Sequence, residues 1–199
     1  MLNFKLNTMK TTKLLAILFI SALTFTACSD DHDHDDHDHD HDHEEPITKL
    51  EYVLTNSSNA NDVVTFTFED PDGEGGAPGT TMTSGPLTAG ASYTGEVKLI
   101  NLEENEDVGA EIAENDAETH EIIYITNIAG LTFTTTDVDA NSNPLGFNTN
   151  VVASSAGGPG TLTISVIHEG KKPNDGTVAD ALSGGGTSDL EVSFTITVQ

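Results

Sequence analysis

The feature that most constrains this chain is a period of two near its C-terminus. Leu190, Val192, Phe194, Ile196 and Val198 alternate with Glu191, Ser193, Thr195 and Thr197. Successive side chains of a strand point to opposite faces, so this pattern builds one dry face and one wet face. A helix, with 3.6 residues per turn, cannot separate them that way. The pattern recurs: Val64, Phe66 and Phe68 alternate with Thr65 and Thr67, and Leu162, Ile164 and Val166 with Thr161, Thr163 and Ser165. Further strands are predicted at 48–54, 92–102, 121–127, 131–136 and 146–153, with a short one near 80–83.

Turn chemistry separates these runs at Asn56 to Asn61, Pro71 to Gly79, Gly85-Pro86, Asn141 to Pro144, Gly157 to Gly160 and Lys171 to Ser188. One short helix is predicted over Asp107 to Asn115, with Asp107 as its N-cap and Val108 and Ile112 one turn apart. There is no alternation of strand and helix to build a parallel sheet. Residues 46–199 therefore read as an all-β domain, an antiparallel immunoglobulin-like β-sandwich of eight or nine strands with one short helix.

Charge narrows the function classes. The chain has 33 Asp and Glu against 7 Lys and Arg, a net charge of −26. Every one of its basic residues is Lys. Nucleic acid needs a basic surface for its phosphates, so no nucleic-acid partner is expected. Without Arg, bidentate phosphate clamps are also missing. The single Cys excludes a disulfide framework. No G-x-S-x-G, HExxH, Walker loop or Cys–His pair is present, and the expectation is a protein that is not an enzyme.

The first residues read as an address. Lys5, Lys10 and Lys13 precede an apolar stretch from Leu14 to Phe25, too short to span a bilayer but right for a signal peptide over residues 1–27. Met9 opens a more ordinary signal sequence than Met1. Leu23-Thr24-Phe25-Thr26-Ala27-Cys28 resembles the lipobox of bacterial lipoproteins, in which the Cys is acylated and becomes the new N-terminus. Phe25 departs from the usual Leu, Val or Ile. The resemblance implies a lipid anchor on Cys28 in the bilayer; the alternatives are a secretory signal with a coincidental Cys and an uncleaved anchor.

Residues 29–45 hold ten carboxylates and six histidines: His32, His34, His37, His39, His41 and His43. Such a run buries almost nothing, so residues 28–45 are predicted to form a disordered, self-repelling tether reaching at most about 55–60 Å. Acidity directly after an acylated Cys resembles the surface-export signal of Bacteroidota lipoproteins, which implies an outer-membrane, cell-surface location. Imidazole ligates Zn²⁺, Ni²⁺ and Cu²⁺, and carboxylates add oxygen ligands, so the tract is expected to bind Zn²⁺ or a similar transition metal. Alternatively only its acidity matters.

Within the domain, Asp70-Pro71-Asp72-Gly73-Glu74 and Asp137-Val138-Asp139-Ala140-Asn141-Ser142-Asn143 place oxygens at alternate positions, as Ca²⁺ loops do. Neither completes an EF-hand, since the second has Ser142 where the Gly belongs and Asn148 where the bidentate Glu belongs, and Asx turn chemistry is the plainer account of each loop. His168 continues the inward phase of Leu162, Ile164 and Val166 to a strand end. His120 precedes the Ile122–Ile125 strand, with Glu118 and Glu121 beside it. If these ends meet, His120, His168 and nearby carboxylates make a metal site; otherwise they are two rim histidines. The acidic 103–121 segment reads equally as a solvated surface.

The mature chain resembles small surface lipoproteins of the Bacteroidota, flavobacteria in particular. The resemblance rests on the acidic His-rich start, FEDPDGEGGAP, ETHEIIY, DVDANSNPLG, the strand ending VIHEG, and SDLEVSFTITVQ. Proteins of this look are often described as having a type 1 periplasmic-binding fold, which implies two α/β lobes. This chain lacks the helices and the length for them, and the all-β reading stands. Two functions follow: capture of metal for an outer-membrane metal importer, or an interaction module binding a glycan or envelope protein.

Overall fold

A computed structural model of the protein describes residues 46–73 and 75–199. The expected signal peptide and tether, with Cys28 and the six tract histidines, lie outside these residues. Nine strands follow in order: β1 (Lys49–Asn56), β2 (Asn59–Glu69), β3 (Thr80–Thr83), β4 (Ala91–Ile100), β5 (His120–Thr126), β6 (Leu131–Thr135), β7 (Asn148–Ala153), β8 (Gly157–His168) and β9 (Thr187–Val198). They form a six-stranded sheet ordered β3-β2-β1-β4-β7-β6 and a three-stranded sheet ordered β5-β8-β9. Every pairing between neighbouring strands is antiparallel.

Leaving out the β2–β3 hairpin, β1-β4-β7-β6 opposite β5-β8-β9 is the A-B-E-D and C-F-G arrangement of an immunoglobulin-like sandwich. The core is made by the alternating positions. Leu50, Tyr52 and Leu54 of β1 are fully buried, as are Leu162 and Ile164 of β8, and Phe194 and Ile196 of β9 are almost so. Each such side chain contributes about 1.5–3 kcal/mol by leaving water. Gly95 makes room for the largest of them, because a Cβ there would lie 2.7 Å from the Tyr52 ring and 2.4 Å from Thr149 Oγ1. The Tyr52 hydroxyl then meets Thr149 Oγ1 at 2.7 Å.

Four details differ from the sequence reading. The expected helix at 107–115 is an α-helical turn, α1 (Val108–Glu111), running into a wider π turn at Ile112–Asp116. Asp107 caps it as expected, accepting from the Ala110 N–H at 3.0 Å. A second short helix, α2 (Val178–Leu182), lies inside the segment read as turn. Its N-cap is Thr177, and Thr177-Val178-Ala179-Asp180 is a capping signature that the Gly-rich surroundings hid. Finally, the turns at 56–61 and 157–160 are mostly strand, since β2 begins at Asn59 and β8 at Gly157.

One end of the sandwich collects the loops of interest. Lys49 pairs with both Glu69 and Ile100, so the start of β1, the loop after β2 and the exit of β4 lie together. The chain then crosses through the acidic 101–119 segment to β5, which starts opposite the end of β8: His120 pairs with His168. The 136–147 loop reaches the same end, where the Ile122 N–H donates to the Leu145 carbonyl at 2.8 Å. Gly146 permits this approach at a φ of 104°, since a Cβ would lie 2.5 Å from the Ile122 carbonyl oxygen.

Candidate metal centre

His120 and His168 face inward at the rim of the three-stranded sheet, in the same phase as Ile122 and Val166. Their rings stack with centroids 4.6 Å apart and planes 11° from parallel. A third group joins them from β9. Val166 pairs with Leu190 and Ile167 with Ser188, which leaves Asp189 as the extra residue of a β-bulge. Two residues of a bulge oppose one on the partner strand, so the strand's strict alternation breaks at this point. Asp189 turns toward the histidines, and its Oδ2 lies 3.4 Å from His120 Nε2.

The ligand atoms of His120, His168 and Asp189 all lie within 4.8 Å of one another. The site is built rather than merely exposed: the side chains of His120 and Asp189 retain 12% and 9% of their accessible surface. Asp189 Oδ1 is buried with no hydrogen-bond partner.

His120 is oriented by its other nitrogen. Nδ1 lies 3.0 Å from the Asp116 carbonyl, which can only accept, so Nδ1 carries the hydrogen in that contact. Thr119 Oγ1 is a further neighbour at 3.2 Å. Nε2 of a neutral His120 is then a bare acceptor aimed at a carboxylate, an arrangement that calls for a cation between the two. A proton is one such cation. Burial opposes a charge on His120, but Asp189 and the Asp116 carbonyl outweigh it, and its pKa is raised above the ordinary histidine value.

Lys172 holds this end together. Its ammonium donates to the Ala117 carbonyl at 2.8 Å, to the His120 carbonyl, and to Asp139 Oδ2 at 3.0 Å. It thereby ties the loop after β8 to the start of β5 and to the 136–147 loop.

The residues singled out from sequence divide clearly. His120 and His168 come together, so they are not the two separate rim histidines that were the plainer expectation. Glu121, also considered, points the other way: it is buried on the outer face, accepts from Asn174 Nδ2, and burial raises its pKa against that bond. Asp137 accepts from the backbone N–H groups of Gly146, Phe147 and Asn148. Asp139 accepts from those of Asn141 and Asn143, both at 2.9 Å, besides Lys172. These two carboxylates organise their own loop.

Asp72 accepts from the Ala77 N–H at 2.9 Å, which is the main cause of its lowered pKa, while Asp70 keeps a buried Oδ1 without a partner. Asp189 was not anticipated. The available signal was the break in polarity at Ser188-Asp189 just before the alternation of β9 begins, but only the register of β8 against β9 shows which way it turns. Comparison with protein-family models, with curated proteins and with solved structures finds no match for this chain.

Proposed function

We propose that this chain is a lipid-anchored envelope protein, held through Cys28 at the outer membrane and displayed at the cell surface, that binds divalent transition metal without catalysing a reaction. The His/Asp tract of residues 30–45 captures Zn²⁺ or a similar ion and raises its concentration beside an outer-membrane metal importer. Six imidazoles interleaved with carboxylates offer many overlapping ligand sets, so capture is fast, multivalent and weakly selective.

The observation that carries this reading is the convergence of His120 and His168 with Asp189, a nitrogen-rich set suited to the same class of ion as the tract. Calorimetry with zinc, on the full chain and on a chain lacking residues 30–45, tests it. Loss of most zinc-binding stoichiometry with the deletion is expected. Unchanged zinc uptake defeats tract capture.

A second reading has its own support. Loops 70–79, 136–147 and 169–186 gather at one end of an immunoglobulin-like sandwich, the arrangement that antibody variable domains use for binding. A glycan or envelope protein is the corresponding partner, with Ca²⁺ at Asp70 and Asp72, where one carboxylate oxygen is buried and unpaired. Absence of any metal binding, together with retention of the full chain on an envelope-glycan column, favours this second reading.

A further inference from the structure

We infer that His120, His168 and Asp189 form a discrete site for one Zn²⁺-class ion, separate from the tract, with a coordination position left open for exchange. This rests on the metal-binding reading above and gives it a fixed, folded acceptor.

Three observations carry the assignment. First, His120 Nε2 and Asp189 Oδ2 face each other at 3.4 Å, longer than an ordinary charge-assisted hydrogen bond, and both offer lone pairs to an ion once His120 gives up its proton. Bonds of about 2.0–2.1 Å in a tetrahedron place neighbouring ligand atoms about 3.3–3.4 Å apart, so the pair already spans one edge of a zinc polyhedron. Second, Asp189 is nine-tenths buried with Oδ1 unpartnered, a costly state for a carboxylate that an ion relieves. Third, the Asp116 carbonyl holds His120 by Nδ1, which leaves Nε2 as the ligating atom; a backbone carbonyl on the far nitrogen is how metal-ligating histidines are commonly oriented.

The donor set selects the ion. Two imidazoles and one carboxylate suit Zn²⁺, Co²⁺, Ni²⁺ or Cu²⁺, whereas Ca²⁺ and Mg²⁺ want all-oxygen shells. Among the described residues the converging set supplies three ligands, and zinc takes four. The fourth position belongs to water or to an incoming donor, so the ion is exchangeable, as a site that receives and passes on metal requires. Coordination also needs the two rings, now 11° from parallel, to splay until their in-plane lone pairs converge on one point.

The bulge is what makes the site. The three ligands come from β5, β8 and β9, one from each strand of the smaller sheet. An ion there bridges all three strand ends and binds only the folded chain. Metal on the tract, by contrast, is expected to bind folded and unfolded chains alike, and so to leave the melting temperature alone.

That difference supplies the test. Zinc is titrated into the full chain, with melting temperature and calorimetric uptake measured in parallel. For the wild type, zinc at about 100 times Kd is expected to raise Tm by about 5–10 °C, reversibly with chelator. Asp189→Asn and His168→Ala are each expected to remove that rise while most calorimetric uptake remains on the tract. Two variants are used so that a folding defect in one, visible as a lowered metal-free Tm, leaves the other decisive.

Zinc uptake with no Tm rise in the wild type overturns the site and leaves tract capture standing. A rise that survives both substitutions also overturns it, by placing the ion elsewhere. A wild-type rise lost in both variants, with uptake unchanged by deletion of residues 30–45, upholds the site and defeats tract capture. No zinc uptake of any kind overturns both.

Discussion

Lys172 donates to Asp139 at 3.0 Å in a place where the two side chains keep only 6% and 0% of their accessible surface. The pair joins the loop after β8 to the loop before β7, and the same ammonium also bonds the His120 carbonyl. Breaking a buried pair by removing one partner leaves the other charge uncompensated. Lys172→Met is therefore expected to cost about 3–5 kcal/mol in chemical denaturation. Lys172→Met combined with Asp139→Asn is expected to cost less than Lys172→Met alone, since it removes the stranded charge while keeping an oxygen to accept from the Asn141 and Asn143 N–H groups.

Acid sensitivity follows from the same pair. Burial acts to raise the Asp139 pKa, but the Asn143 N–H and the Lys172 ammonium outweigh it, and the net shift is downward. The folded state thus disfavours the proton more than the unfolded chain does. The resulting stabilisation is complete above the ordinary carboxylate pKa and is lost as pH falls through the lowered folded value. Melting curves between about pH 5 and pH 2 are expected to fall less steeply for Asp139→Asn than for the wild type, from a lower starting Tm.

Close approach at Gly95 makes a third prediction. A Cβ at this position meets Tyr52, Leu54 and Thr149 at 2.4–2.7 Å. Gly95→Ala is expected to destabilise by about 1–3 kcal/mol through overpacking, measured by denaturant midpoint at unchanged m-value.

Tyr52→Phe tests a single buried bond. It removes the 2.7 Å contact to Thr149 Oγ1 and leaves that hydroxyl in a dry environment. A loss of about 1–2 kcal/mol is expected, and restoring an apolar partner with Thr149→Val is expected to recover part of it.

The tract predicts an absence of effect on folding. A chain lacking residues 30–45 is expected to melt within about 1 °C of the full chain in metal-free buffer, because so polar a run has almost nothing to bury. A larger drop in scanning calorimetry means the tract packs on the domain.

Much of this architecture was legible in the sequence. All nine strands sit where alternation or β-rich runs indicated, because side-chain direction along a strand depends only on neighbouring residues. His168 could be placed inward at a strand end by counting from Ile164. The second helix escaped because Thr177 and Asp180 lie in a stretch of Gly, Asn and Ser that reads as turn. Glu121 is next to His120 in sequence, but adjacent residues on a strand face opposite ways, and it serves the outer face instead.

Asp189 marks the boundary between the two kinds of information. By itself the sequence determined the strands, their inward faces and the presence of two candidate histidines near strand ends. Which ends meet, and that a bulge turns Asp189 onto them, was decided by the pairing of β5, β8 and β9. That pairing is a long-range register, set by how the whole sheet packs its dry face. No local pattern records it, because a shift of two residues in the pairing of β9 would keep its dry face inward and still send the carboxylate elsewhere.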